Sequence, residues 1–140
     1  MNDDVPVYVL DSFALLAYLD GEEGMDRVRD ILVEAAQGDC RVVLSIINLG
    51  EVLYITEREV GLPQAQAVLA VMEQLPIEIL PATNEAVLAA AHIKANYPVA
   101  YADAFAVVAA IESGGTVLTG DDEFTQVEGL VKVEWLHHPI

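Results

Sequence analysis

The sequence is poor in basic residues. Its 140 residues include only 6 Lys and Arg against 23 Asp and Glu, which gives a formal net charge of -17. A field of one sign and this size repels the phosphate backbone of nucleic acids at long range. Composition alone therefore argues against a nucleic-acid substrate. It is compatible with a cation-binding site, with a basic protein partner or with a salty cytoplasm.

Other absences exclude further classes of protein. Cys40 is the only cysteine, so an internal disulfide is impossible and an inert, buried thiol is expected. His92 stands alone, and the pair at His137 and His138 has no cysteine partner of the kind that indicates a zinc site. The chain has neither a GxGxxG nor a GxxxxGK[ST] motif, which argues against a dinucleotide-binding protein and against a P-loop nucleotide-binding protein.

The distribution of apolar residues gives no sign of membrane insertion or export. No apolar run reaches the roughly 18 residues that a membrane-spanning helix needs. The first ten residues contain two acids and no basic region of the signal-peptide type. These features predict a cytoplasmic protein that does not enter a membrane.

What the sequence does contain is a regular alternation of strand and helix patterns. Apolar residues make up 54% of the chain, enough for a core, and the length predicts one domain over residues 1–140. Short apolar runs that suit buried strands alternate with segments of helical periodicity, which predicts an α/β sandwich with a largely parallel sheet. Strands are predicted at 5–10, 41–45, 77–80, 116–118 and 130–135, and helices at 12–19, 22–36, 45–60, 62–75, 84–96 and 101–113.

Two acidic residues follow predicted strands. Asp11 comes directly after VYVL, and Asp121 comes after TVL and the turn at Thr119 and Gly120. The carboxyl ends of parallel strands are where α/β folds place ligands. Each acid also has an ordinary structural interpretation, because Asp11 could cap the next helix and Asp121 could be a turn residue. Asp122 and Glu123 come directly after Asp121 and could share or confuse its role.

Two further acids lie in helices whose neighbouring residues are apolar. Glu51 lies within INLGEVLYI, and Asp103 opens the run ADAFAVVAAI. A carboxylate in apolar surroundings is unfavourable unless it is paired, protonated or bound to a metal. An ion pair between Glu51 and Arg58, and a favourable position for Asp103 at a helix N-terminus, remain open as structural interpretations.

Taken together, the four acids favour a cation site. Four carboxylates brought close would repel one another and raise one another's pKa. A hard divalent cation relieves that repulsion, and a set of oxygen ligands suits Mg²⁺ or Mn²⁺.

Four segments of the chain resemble the PIN-domain nucleases, most closely the VapC-type toxins of prokaryotic toxin–antitoxin pairs. These segments are VLDSFALLAYL, SIINLGEVLY, YADAFAVVAAI and VLTGDDEF, and the resemblance extends from about Val7 to Leu136. It implies a central parallel sheet of four or five strands with helices on both faces. By position, the resemblance assigns the catalytic, metal-binding acids to Asp11, Glu51, Asp103 and Asp121, with supporting roles for Ser12, Asn48 and Thr119. Asp122 is a further supporting candidate because it adjoins Asp121.

The resemblance also implies an activity and partners. It predicts Mg²⁺- or Mn²⁺-dependent hydrolysis of RNA by a homodimer, and an antitoxin that blocks the site with a basic side chain. One feature departs from this pattern, because the six basic residues are dispersed and form no patch for RNA. A PIN-like module that binds a partner and cuts weakly or not at all is therefore the alternative.

Two other acidic α/β classes fit less well. A DxD phosphatase needs a second Asp where Phe13 stands, and a receiver domain needs an acidic pair at the first strand.

Overall fold

The computed structural model describes residues 4–137, so His138 of the terminal pair lies outside the described residues. These residues form a five-stranded sheet in the order β3-β2-β1-β4-β5, with every neighbouring pair parallel. The predicted α/β class with a parallel sheet is confirmed. The strands are β1 (Val7–Leu10), β2 (Arg41–Ser45), β3 (Glu78–Leu80), β4 (Thr116–Thr119) and β5 (Lys132–Trp135).

Pairs of helices connect the first four strands. The sequence predicted two helices in each of these three crossovers, and the structure has a pair in each. A short 3-10 helix at Asp122–Val127 replaces the pair between β4 and β5. Along residues 4–137, no helix is both long and apolar enough to cross a membrane. The helices are α1 (Ser12–Asp20), α2 (Met25–Ala36), α3 (Ile46–Val60), α4 (Leu62–Met72), α5 (Asn84–Asn96) and α6 (Tyr101–Ser113).

Local signals set most helix ends where they were predicted. The Ser45 side chain caps α3 by accepting the N–H of Ile47, and Pro63 lies in the first turn of α4. The second helix begins at Met25 rather than at residue 22. Gly24 has φ of 100°, a left-handed conformation that an α-helix cannot include, so the helix begins after it. A Cβ at this position would lie 2.9 Å from Cβ of Leu136, so only glycine fits there.

The two faces of the sheet bury different sets of helices. In register across β2, β1 and β4, Val43, Val9 and Val117 pack with α5 and α6. The next residues of the same strands point to the opposite face and pack with α1 to α4. Helices therefore cover both faces of the sheet. The edge formed by the carboxyl ends of the strands is where a functional site can form.

Four parts of the chain meet at that edge. Strands β1 and β4 are neighbours and parallel, so Asp11 and the turn after Thr119 emerge side by side. Helix α3 starts directly from β2, and α6 packs over β1, β2 and β4. The fold thus gathers residues from four separate segments of the sequence.

Candidate metal centre

Asp11 is buried at the end of β1 and holds two hydrogen bonds. Its Oδ1 accepts the N–H of Ala14 at 2.8 Å, so Asp11 is the N-cap of α1, as one of the two interpretations predicted. Its Oδ2 accepts the hydroxyl of Thr119. Burial raises the pKa of Asp11 to about 7, although both hydrogen bonds favour the charged form and lower it.

Thr119 connects the two acids that follow neighbouring strands. It is fully buried at the end of β4, and its Oγ1 both donates to Asp11 and accepts the N–H of Asp121 at 3.0 Å. A single hydroxyl thus fixes the Asp11 side chain relative to the turn that carries Asp121.

The carboxylates of Asp103, Asp121 and Glu123 form a cluster. One oxygen from each lies within 4.8 Å of the other two. Asp103 is buried in the first turn of α6, and burial is the largest cause that raises its pKa to about 8. The negative charges of Asp11, Asp121, Glu123 and Glu51 raise it further.

Glu51 lies beside this cluster on α3. It is half-buried, and its charge contributes to the raised pKa of Asp103. The ion pair with Arg58, which the sequence left open as a structural interpretation, is not among the ion pairs of residues 4–137. The Arg58 guanidinium lies instead over the ring of Tyr54, 5.4 Å from its centroid.

Asn48 and Ser12 join the helices that carry the acids. Asn48 is fully buried on α3, and its Nδ2 donates to the carbonyl of Ala102 at 3.0 Å and to Oγ of Ser12 at 3.3 Å. The Ser12 hydroxyl donates to the Asn48 carbonyl at 3.3 Å. Asn48 therefore contacts the residue before Asp103 and the residue after Asp11. Its Oδ1 has no hydrogen-bond partner among the described residues.

Comparison with known proteins agrees with this architecture. The model of the PIN domain family matches residues 8–130. The chain belongs to the PIN domain family. The PIN fold was the predicted one, and the family assignment is confirmed.

Solved structures show the same fold at low sequence identity. DNA-bound VapBC from Salmonella typhimurium is 19% identical, with a TM-score of 0.73, and the match covers 95% of this chain and 100% of that chain. FitAcB from Neisseria gonorrhoeae is 21% identical, with a TM-score of 0.69 over 94% and 99%. VapC20 from Mycobacterium tuberculosis, a sarcin-ricin loop cleaving toxin, is 18% identical, with a TM-score of 0.65 over 91% and 98%. No curated protein sequence matches this PIN domain.

The donor set of this PIN domain suits a hard cation. Ligands about 2.1 Å from one octahedral Mg²⁺ lie at most about 4.2 Å apart, so three oxygens within 4.8 Å need only a small closure. The cluster contains carboxylate oxygens and no sulfur or imidazole nitrogen, which favours Mg²⁺ or Mn²⁺ over zinc.

Glu123, which the sequence named as a neighbour of Asp121 without assigning it a site role, belongs to the cluster. Asp122, predicted in a supporting role, has a side chain that is 90% exposed and lies 3.5 Å from Nε2 of His137. Asp121 caps the 3-10 helix by accepting the N–H of Glu123 at 2.9 Å, which draws Glu123 rather than Asp122 beside it. The signal available in the sequence was the position of Glu123 two residues after Asp121, because an N-cap Asp accepts a backbone N–H two or three residues further on.

Proposed function

We propose that this PIN domain is a Mg²⁺- or Mn²⁺-dependent endoribonuclease that hydrolyses RNA phosphodiester bonds at the carboxylate cluster. The observation that carries the proposal is the cluster of Asp103, Asp121 and Glu123, none of which forms an ion pair with a basic side chain of residues 4–137. The Arg–carboxylate pairs found within residues 4–137 lie elsewhere, at Arg27–Glu134, Arg29–Asp26 and Arg41–Glu78.

The energetics of Asp103 support a metal role. The charged form of Asp103 is unfavourable because the carboxylate is buried and surrounded by other acids, and its raised pKa reflects this. An amide of the same shape would fill the space without that cost. The presence of an Asp at this position is therefore explained by a cation that binds when the protein is active. A divalent cation offsets both the cost of burying the carboxylate and its repulsion by the neighbouring acids.

Each acid has a part in this proposal. Asp103 and Asp121 hold the metal together with Glu123, while Asp11 and Glu51 add negative charge beside it. When bound, the metal polarises a phosphate oxygen and lowers the pKa of a water molecule. Thr119 keeps Asp11 and Asp121 in fixed relation, and Asn48 ties α6 to α3 and α1.

The biological setting belongs to the same proposal. The structural neighbours include VapBC complexes and a toxin that cleaves the sarcin-ricin loop. We place this chain as the toxin of a type II toxin–antitoxin pair, a cytoplasmic homodimer with one PIN-like domain over residues 1–140. An antitoxin with a basic segment would complement the net charge of -17 and reach the carboxylates.

RNA cleavage with purified protein tests the activity. We expect cleavage in MgCl₂ or MnCl₂ and none in EDTA. Asp103→Asn should lower the cleavage rate at least about 100-fold, because removal of a buried ligand weakens metal binding and disturbs the position of the bound metal. The matched control is Glu112→Gln, because Glu112 is an exposed acid on the same helix. Cleavage that persists in EDTA or in Asp103→Asn would contradict the proposal.

The second candidate is a PIN module that binds a protein partner and cuts weakly or not at all. The observation that favours it is the commitment of three of the four arginines to acidic partners, which leaves few cations for RNA. Absence of cleavage for every RNA tested, together with retained Mn²⁺ binding and a tight complex with a basic partner, would favour this candidate.

A further inference from the structure

The exposed aromatic side chains among residues 4–137 all stand close in sequence to candidate acids. Every other Phe, Tyr and Trp of that range is buried or half-buried. Each of the three exposed rings lies within three residues, in sequence, of one of the candidate acids Asp11, Glu51 and Asp103. Their exposed fractions are 42% for Phe13, 54% for Tyr54 and 45% for Tyr101.

Phe13 lies across the turn that leads to Asp121. A Cβ built on Gly120 would lie 2.2 Å from Cε1 of Phe13, so the ring rests directly on the glycine backbone. Phe13 is the second residue of α1, immediately beyond Asp11 and Ser12. Its exposed ring therefore sits between the segment that follows β1 and the segment that follows β4.

Tyr54 follows Glu51 by one helical turn on α3. Residues three apart lie on the same side of a helix, so Tyr54 and Glu51 share one side of α3. Arg58 lies over that ring, 5.4 Å from its centroid. Tyr54 and Arg58 thus form a cation–π pair on α3.

Tyr101 is the first residue of α6, the helix that carries Asp103. Its ring meets the buried ring of Phe105 edge to face, with centroids 5.2 Å apart and an interplanar angle of 76°. This contact fixes the orientation of an exposed ring. The Tyr101 ring is therefore held in one orientation, exposed, at the N-terminus of α6.

We infer, given the proposed function, that the site holds single-stranded RNA mainly by stacking unpaired bases on Phe13, Tyr54 and Tyr101. A chain of net charge -17 has little electrostatic attraction for phosphates. Stacking needs no positive charge, because every base has a π-face. Base-paired RNA keeps its bases inside the helix, so a duplex cannot stack its bases on these rings.

Binding of matched oligonucleotides tests the inference directly. The probes are a fluorescein-labelled single strand of about 12 nucleotides, the same strand with abasic sugars at its centre, and a duplex of the same sequence. Fluorescence anisotropy is measured in CaCl₂, with a gel to verify that the probe stays intact. We expect the single strand to bind most tightly, with less than about tenfold loss between about 50 and about 200 mM KCl.

Substitutions at the rings give the residue-level test. Tyr54→Leu and Tyr101→Leu should each weaken binding of the single strand by roughly 5- to 150-fold, whereas Tyr54→Phe should retain it. Leu88→Ala, an exposed apolar residue on α5, is the control. An unchanged rise in melting temperature with MnCl₂ verifies that each variant keeps its metal centre.

The outcomes separate the inference from the proposed function. Equal affinity for the abasic strand, or unchanged affinity in both Leu variants, overturns the inference even where the wild type cleaves RNA. Base-dependent binding without cleavage overturns only the proposed function. Sedimentation showing that the Leu variants lose dimerisation, with RNA affinity unchanged, makes the rings a contact between copies of the chain and also overturns the inference.

Discussion

The hydroxyl of Thr119 donates a hydrogen bond to Oδ2 of Asp11, across two neighbouring parallel strands. The same oxygen accepts the backbone N–H of Asp121. This pair of contacts couples the first and fourth candidate acids, which lie far apart in sequence. It also favours the charged form of Asp11 against the effect of burial on its pKa.

Thr119→Val tests that coupling with little change of shape. Loss of the hydroxyl removes a hydrogen bond to a buried carboxyl group, so we expect the free energy of unfolding to fall by about 1–3 kcal/mol. The pKa of Asp11 should rise further, which weakens Mn²⁺ binding near neutral pH. Urea unfolding and Mn²⁺ titration measure the two effects.

The controls for this prediction lie on the same strand or keep the hydroxyl. Thr119→Ser retains the donor, and Thr116→Val changes the first residue of β4. Both should bind Mn²⁺ like the wild type. Normal stability and normal Mn²⁺ affinity in Thr119→Val would show that the hydroxyl does not position the acids.

The raised pKa values predict how the metal-free protein responds to pH. In the folded state Asp11 titrates at about 7 and Asp103 at about 8, against an ordinary value of 3.8. Between these values the folded protein binds more protons than the unfolded chain. Their contribution to stability is therefore complete below about pH 4 and is lost as the pH rises through about 7 to 8.

We expect the melting temperature in EDTA to fall from about pH 5 to about pH 8. Saturating Mn²⁺ should reverse part of this fall, because the metal binds the deprotonated acids. Thermal unfolding across this pH range, with and without Mn²⁺, measures both effects. A melting temperature in EDTA that rises over the same range would be incompatible with the buried acids described above.

Asp103→Asn should stabilise the metal-free protein while it removes function. The amide has nearly the same shape and carries no charge, so at about pH 8 we expect a gain of about 1–3 kcal/mol in the free energy of unfolding. The variant should also show a shallower pH dependence and little Mn²⁺-induced stabilisation. Chemical denaturation provides the measurement, with Glu112→Gln as the control that should leave all three properties unchanged. Destabilisation by Asp103→Asn in EDTA would indicate a structural role for the charge.

Asn48→Ala tests the connection between the helices. It removes the hydrogen bonds to Ala102 and Ser12 and leaves the Ala102 carbonyl without its side-chain donor, so we expect a loss of about 2–3 kcal/mol. Because Ala102 precedes Asp103, Mn²⁺ affinity should fall as well. Asn96→Ala, which removes an exposed hydrogen bond on α5, is the control and should change stability by less than about 0.5 kcal/mol. Equal effects of the two substitutions on stability and on Mn²⁺ affinity would exclude a special role for Asn48.

The sequence predicted the fold well because its signals are local. Apolar runs, capping residues such as Ser45, and Pro63 at a helix start each act within a few positions. The boundary at residue 22 was missed because the turn at Gly24 depends on a close approach to Leu136 from the far end of the chain.

The candidate site was predictable only in part. Asp11 and Asp121 follow strands, and parallel strands bring such residues to one edge of a sheet. Sequence could not distinguish Asp122 from Glu123, because their directions depend on the 3-10 helix and on contact with His137. Nor could it give the contact of Asn48 with Ala102, which joins two helices distant in sequence.

The position of a bound Mn²⁺ ion tests the central claim most directly. Crystals soaked in MnCl₂ at about pH 8 should show an anomalous-scattering peak within about 2.3 Å of carboxylate oxygens from Asp103, Asp121 and Glu123. Crystals of Asp103→Asn should lack it. A wild-type crystal with no peak among these acids, or with its strongest peak on other surface carboxylates, would contradict the account.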